Sequence, residues 1–252
     1  MLKLLTLLCA SVFLASAQSP RRYTCPRTSA PIQVDGRIDD AAWAKALWTE
    51  WFIDIEGPAA AKPRFRTRAK MLWDDQYFYV AAEMEEPQVW ATLTKHDSVI
   101  FHDNDFEIFL NPSGDGNNYF EFEINALNTG WDLFLAKPYL KGGKADNSWE
   151  IPGLLTAISV QGTLNDARDT DRGWTLEIAM PWSAFASRAP VERPKPGDEW
   201  RVNFSRVEWR VNADSGKYVK QPGSKEDNWV WSPQGVINMH VPERWGFVRF
   251  SQ

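Results

Sequence analysis

Apolar and polar residues alternate along several short stretches of this chain, with turn residues between them. In 119–125, Phe120, Phe122 and Ile124 fall on one side, while Tyr119, Glu121, Glu123 and Asn125 fall on the other. This is the period-two pattern of a strand, whose side chains point alternately to opposite faces. In 106–110, Phe106, Ile108 and Leu110 oppose Glu107 and Phe109; in 200–209, Val202 and Phe204 oppose Arg201, Asn203 and Ser205. β-prone runs of similar length recur at 67–73, 77–84, 130–136, 154–160, 174–180 and 245–251. The breaks between them are strong, among them Asp74-Asp75, the run NPSGDGN at 111–117, Asn128-Thr129-Gly130 and Gly142-Gly143. About nine short strands without a helical period predict an all-β, antiparallel β-sandwich. One short N-terminal helix is expected, with Asp39 or Asp40 capping a turn through Ala46. If the alternating strands are neighbours, Glu107, Glu121, Glu123, Asn125 and Asn203 form a polar field on a wet outer face.

The ends read differently. Lys3, the apolar run Leu4–Leu14 and Ala15-Ser16-Ala17 have the layout of a secretory signal, with cleavage expected after Ala17. Residues 18–30 are polar and proline-bearing and read as an extended leader, and 31–252 as one domain without a dividing linker. The expectation is a secreted or periplasmic protein with no transmembrane segment, since a spanning helix needs about 20 apolar residues. Cys9 would leave with the signal. Cys25 would then be the single cysteine, incapable of an internal disulfide and expected as a tolerated thiol near a loose N-terminus.

Composition narrows the function. Lys plus Arg number 28 and Asp plus Glu 33, a net charge of −5 with no basic run, which argues against a nucleic-acid partner. The aromatic share is 13%, with 14 Trp and 14 Phe, so rings must fill a core or present faces to a ligand. Trp73, Trp174, Trp200 and Trp245 sit among apolar neighbours and read as core, and Trp43 as the residue docking the short helix. Trp131, Trp149, Trp209, Trp229 and Trp231 are the rings available to a ligand. An aromatic face can stack on a pyranose while polar neighbours read its hydroxyls. Carboxylates on a strand face suit that reading role as acceptors. The set Glu107, Glu121 and Glu123 is also compatible with a glycosidase pair, one acid and one base or nucleophile across a bond. His96, His102 and His240 are weak metal-ligand candidates, and the acidic loops 35–40, 103–105 and 166–171 could hold Ca²⁺ without matching a known loop spacing. Turn formation is the plainer reading of those aspartates.

Six motifs together resemble the family 9 carbohydrate-binding domains and their relatives. They are Val34-Asp35-Gly36 with Asp39–Trp43, Met71–Val80 (MLWDDQYFYV), Asp103–Leu110 (DNDFEIFL), Trp174–Trp182 (WTLEIAMPW), Arg201–Arg206 (RVNFSR) and Pro242–Phe250 (PERWGFVRF). The resemblance implies a DOMON-type β-sandwich, found in secreted sugar-binding modules, often beside xylanases, and in some haem-binding domains. It implies an aromatic clamp on a sugar, with one clamp position near Phe101 and the other near Met239 or His240, neither a Trp. It assigns polar contacts to Glu107, Glu121, Glu123 and Asn238, with structural calcium nearby. The resulting expectation is a non-catalytic protein binding plant-type oligosaccharide or polysaccharide, acting in carbohydrate catabolism with secreted glycoside hydrolases as partners. Its expected site comprises Phe101, Glu107, Glu121, Glu123, Asn125, Trp131, Trp231, Asn238, Met239 and His240. The alternatives are a haem or metal protein of the same fold, with Met239 or Met84 beside His240, and a glycoside-acting enzyme.

Overall fold

The computed structural model describes residues 18–186, 188 and 193–252. The segment read as a secretory signal lies outside them. In chain order the strands are β1 (Arg22–Pro26), β2 (Ile53–Asp54), β3 (Thr67–Trp73), β4 (Tyr77–Glu85), β5 (Asp105–Asn111), β6 (Tyr119–Asn125), β7 (Gly130–Leu135) and β8 (Ala145–Asp146). They continue with β9 (Leu155–Gln161), β10 (Gly173–Pro181), β11 (Glu199–Glu208), β12 (Val211–Asp214), β13 (Lys217–Lys220), β14 (Asp227–Val230) and β15 (Gly246–Ser251). The larger sheet runs β1-β15-β11-β5-β6-β7-β8, with β14 pairing β11 and β2; the smaller runs β3-β4-β10-β9, and β12 and β13 form a separate hairpin. All pairs are antiparallel except β1 on β15.

The alternation read from sequence decides which side chains meet between the sheets. Phe106, Ile108 and Leu110 of β5, Phe120, Phe122 and Ile124 of β6, and Val202 and Phe204 of β11 pack against Met71, Trp73, Phe78, Val80, Trp174, Leu176 and Met180. Two opposed apolar faces of this kind make the core of a sandwich. Arg206 lies on the same face of β11, paired with Glu86 and Glu208 and bonded to Thr67 Oγ1 and the Glu85 carbonyl.

Both outer faces are also covered. On the smaller sheet, a 3₁₀ turn at Ala41–Lys45 lays Ala42 and Trp43 against Leu72, Tyr79, Ala81 and Ala179. Asp40 does not cap this turn with its side chain; its carboxylate accepts from the Gln33 amide instead. Glu177 on β10 accepts hydrogen bonds from the amides of Asp35 and Gly36 and from Trp43 Nε1, which pins the segment down. On the larger sheet, the chain after β14 folds back so that Met239 and Trp245 pack with Phe109, Tyr119, Leu133 and Leu135.

Three expectations change as a result. The polar field is not wet: Glu107 is 5% exposed, Glu121 4%, Glu123 2%, and Asn125 and Asn203 0%. Period two assigns a side chain to a face, but not whether another layer lies on that face. The expected leader contributes β1, five residues in register with β15. Cys25 is therefore fully buried within a sheet rather than near a loose end, and burial pushes its thiol pKa well up, which makes it a packing residue.

Candidate functional site

Register builds the site. Ser205, Glu107, Glu123 and Trp131 lie side by side across β11, β5, β6 and β7, and the next row carries Asn203, Phe109, Glu121 and Leu133. The folded-back segment leaves part of these rows open, forming a cavity of about 450 Å³. Its floor carries Glu107, Glu121 and Glu123, and its walls include Phe101, Trp131, Tyr139, Ile237, Asn238, Met239 and His240. At the rim Tyr139 is 42% and Ile237 70% exposed.

Each wall is held from behind. Glu123 Oε2 accepts from the Phe101 amide at 3.0 Å, and Trp209 Nε1 donates to the Phe101 carbonyl at 2.9 Å. The Phe101 and Trp131 rings lie 6.3 Å apart, inclined by 34°. His240 shares a 2.9 Å hydrogen bond between Nδ1 and the Tyr119 hydroxyl, meets the Tyr139 ring edge-on, and has its amide donating to Asn238 Oδ1. Trp245 Nε1 anchors the Met239 carbonyl at 2.7 Å.

Burial sets the electrostatics. Loss of solvent pushes the Glu107 carboxyl up to about 7. Asp105, Glu121 and Glu123 are pushed well above the carboxylate range, first by burial and then by the charge of Glu107 beside them. Burial pushes His240 down to about 4, so it is neutral at ordinary pH. Glu121 Oε2 and Asp105 Oδ2 are buried with no hydrogen-bond partner among the described residues. The cavity thus offers acceptors, protonated acids and ring faces, a set suited to a polyhydroxylated ligand.

Of the residues expected at the site, Phe101, Glu107, Glu121, Glu123, Trp131, Asn238, Met239 and His240 line this one cavity. Asn125 and Trp231 do not. Asn125 Nδ2 donates to the Leu93 carbonyl and Asp103, while its Oδ1 accepts from Leu127 and Thr129, so it is spent on holding loops. Trp231 is fully buried in the core and donates Nε1 to Glu50. That ring is not available to a ligand, because β15 passes over it at Gly246, where a Cβ would come within 2.4 Å of the indole. Tyr139, Glu226, Asn228 and Ile237 line the cavity unforeseen. Asp105 was legible in part, since it stands two residues before Glu107 on the same strand face.

The histidines separate. His96 neighbours Asp97, Asp132 and Glu150, and although burial works against its charge, these acids raise its pKa. His102 is exposed, its ring against Phe101. Among the described residues two groups place ligand atoms within 4.8 Å of one another, His96 with Asp97 and Asp132, and Asp105 with Glu107 and Glu123; neither joins two histidines. Met84 packs between the sheets, across the larger sheet from His240, so that pair does not form. Asp103 and Asp171 of the acidic loops accept from the amides of Thr92 and Leu93, and of Val89 and Thr163, none of them a near neighbour in sequence, so these two aspartates tie separate segments together rather than form local turns. A larger cleft, about 630 Å³, lies at Arg27, Asp74 and Asp75, but its charged groups are engaged: Arg27 and Arg193 pair with Asp75, and Asp74 accepts from Gln76, Tyr77 and Tyr79.

Known proteins share this architecture. A carbohydrate-binding module family 9 from Caldicellulosiruptor kristjanssonii, solved with cellotriose, aligns with a TM-score of 0.59 at 19% identity, covering 92% of this chain and 94% of that one. A Bacteroides uniformis protein described as carbohydrate-binding gives 0.66 at 16% identity, over 92% and 100%. At such identities the likeness is one of fold. In sequence, the chain is 27% identical over 155 residues to exoglucanase XynX of Acetivibrio thermocellus, which is 60% of this chain and 12% of that protein. It is 24% identical over 155 residues to endo-1,4-beta-xylanase A of Thermoanaerobacterium saccharolyticum, 60% and 11%. The match thus spans only about a tenth of the length of these relatives. The carbohydrate family 9 binding domain-like family matches residues 34–200, about two-thirds of the sequence, from the Asp35-Gly36 turn through the strands that carry Glu107, Glu121 and Glu123. With that extent of match on this sandwich, the chain belongs to the carbohydrate family 9 binding domain-like family.

Proposed function

We propose that the chain is a non-catalytic saccharide-binding domain whose ligand occupies the cavity over β5, β6 and β7. The observation that carries this is the convergence of buried Glu107, Glu121 and Glu123 beneath the Phe101 and Trp131 rings, in a cavity open at the rim. Rings grip the C–H faces of a pyranose and the acids hydrogen-bond its hydroxyls. Family solved structures hold cellotriose and glucose, and the curated sequence relatives are an exoglucanase and xylanases; both favour plant-type β-linked saccharides and a role beside secreted glycoside hydrolases. The N-terminal signal read from sequence fits export, and no helix among the described residues is long and apolar enough to cross a membrane.

Calorimetry with cellotriose, xylotriose and glucose tests this reading. Affinity is expected between about micromolar and millimolar, since a small polar ligand gains little beyond its ordering cost. Trp131→Ala is expected to weaken binding by about 1–3 kcal/mol. Silence across a broad glycan panel would refute the proposal, and Glu107→Ala binding with unchanged affinity would remove the cavity as its site. Paired acids, one raised to about 7, are also what glycoside hydrolysis would use. Reducing-end release from the same oligosaccharides, abolished by Glu121→Gln or Glu123→Gln, would favour that second reading.

A further inference from the structure

The charge of the cavity is one-sided. Glu107, Glu121, Glu123 and Glu226 line it, and among the described residues no Lys or Arg does. His240 is held neutral by burial. Glu121, only 4% exposed, faces the cavity with an Oε2 that has no hydrogen-bond partner among the described residues. Beneath it, Asp105, Glu107 and Glu123 place carboxylate oxygens within 4.8 Å of one another. A ligand with hydroxyls alone brings no cation that would draw these acids into their charged form. A protonated primary amine brings one positive charge and three donors, and acceptors around it at about 2.8 Å from nitrogen stand about 4.6 Å apart. The Phe101 and Trp131 rings flank the same space, and such faces attract a cation as well as a sugar ring. A bare divalent ion would use the acids but neither the rings nor the volume.

We infer that the ligand is a saccharide with a free, protonated amine, an amino sugar that is not N-acetylated, its ammonium seated on Glu107 and Glu123 with the unpartnered Oε2 of Glu121 beside them. This rests on the saccharide reading of the cavity and narrows its substrate class. N-acetylation removes the charge and turns a carbonyl toward the acids, so it should abolish the preference.

The test is calorimetry on the wild-type chain in chelator-containing buffer near pH 7, with β-1,4-linked glucosamine trimer, its fully N-acetylated form and cellotriose. The glucosamine trimer is expected to bind at least about tenfold more tightly than either of the others, as a charge-assisted contact predicts. In Glu121→Gln the ratio of glucosamine trimer to cellotriose affinity should fall to about threefold or less. The ligand comparison on the wild-type chain decides the matter even if that variant folds poorly. Equal affinity for cellotriose and the glucosamine trimer would overturn this inference and leave the saccharide reading standing. No binding of any of the three would overturn both. Calcium chloride that binds in chelator-free buffer and displaces the glucosamine trimer would overturn it in favour of a metal site.

Discussion

Single carboxyl groups control how this protein responds to pH. Glu107 has an ordinary value of 4.5 and sits at about 7 in the fold because solvent is excluded from it. Between those values the native state holds a proton that the unfolded chain releases, so the stability it contributes is complete below about pH 4.5 and is lost as pH rises through about 7. Asp105, Glu121 and Glu123 are shifted in the same direction. His240, lowered to about 4 from 6.5, acts oppositely: its contribution is present above about 6.5 and is lost as pH falls toward 4. Four acids outweigh one imidazole, so melting near pH 5.5 should exceed melting near pH 8 by about 5–10 °C. Glu107→Gln should remove about 2 kcal/mol of the stability difference between pH 5.5 and pH 8; thermal melts across the pH series would show it, and an unchanged difference would mean that Glu107 is solvated. The identity and face of this residue were legible from alternation. Its pKa was not, because it depends on what covers the face.

At the scale of elements, local pattern worked where strands are long. The expected bounds at 67–73 and 119–125 coincide with β3 and β6, since seven residues of period two on a two-faced strand leave little ambiguity. β2 and β8 have two residues each, too few for a period to register, and they exist because a neighbouring edge accepts them. The Asp35-Gly36 turn combines both kinds of cause. Gly36 has φ +84°, and a Cβ there would stand 2.6 Å from the Ile158 carbonyl carbon, so only glycine fits. Its amide, with those of Asp35 and Trp43 Nε1, ends on Glu177. Gly36→Ala should cost about 2–3 kcal/mol, and Glu177→Ala about 3–5 kcal/mol, because it strands three donors. Urea denaturation measures both; a near-neutral Glu177→Ala would show that the N-terminal segment is held by packing alone.

Across the whole molecule, the sheets are tied at one end by Arg206. From β11 its guanidinium reaches Glu86 at 2.7 Å, Glu208 at 2.8 Å and Thr67 Oγ1 at 3.0 Å, with 1% of its side chain exposed. Arg206→Ala leaves buried Glu86 without a cation and Glu208 with only Arg64 at 3.6 Å, and should cost about 3–5 kcal/mol, with Arg206→Lys intermediate because it keeps charge and loses the planar fork. Denaturation midpoints test this, and an Ala variant as stable as the wild type would mean that the acids are neutral in the fold. The sequence by itself determined the sandwich, the faces of Phe106, Phe120 and Val202, and the grouping of Glu107, Glu121 and Glu123 on one side, because side-chain direction in a strand is a local property of the backbone. Only the tertiary structure decided that this side is roofed by the chain after β14, that Trp231 is core while Tyr139 and Ile237 border the cavity, and that β1 closes the sheet against β15. Those outcomes depend on contacts between residues more than a hundred positions apart, such as Tyr119 with His240, and no local pattern encodes which distant segment will cover which face.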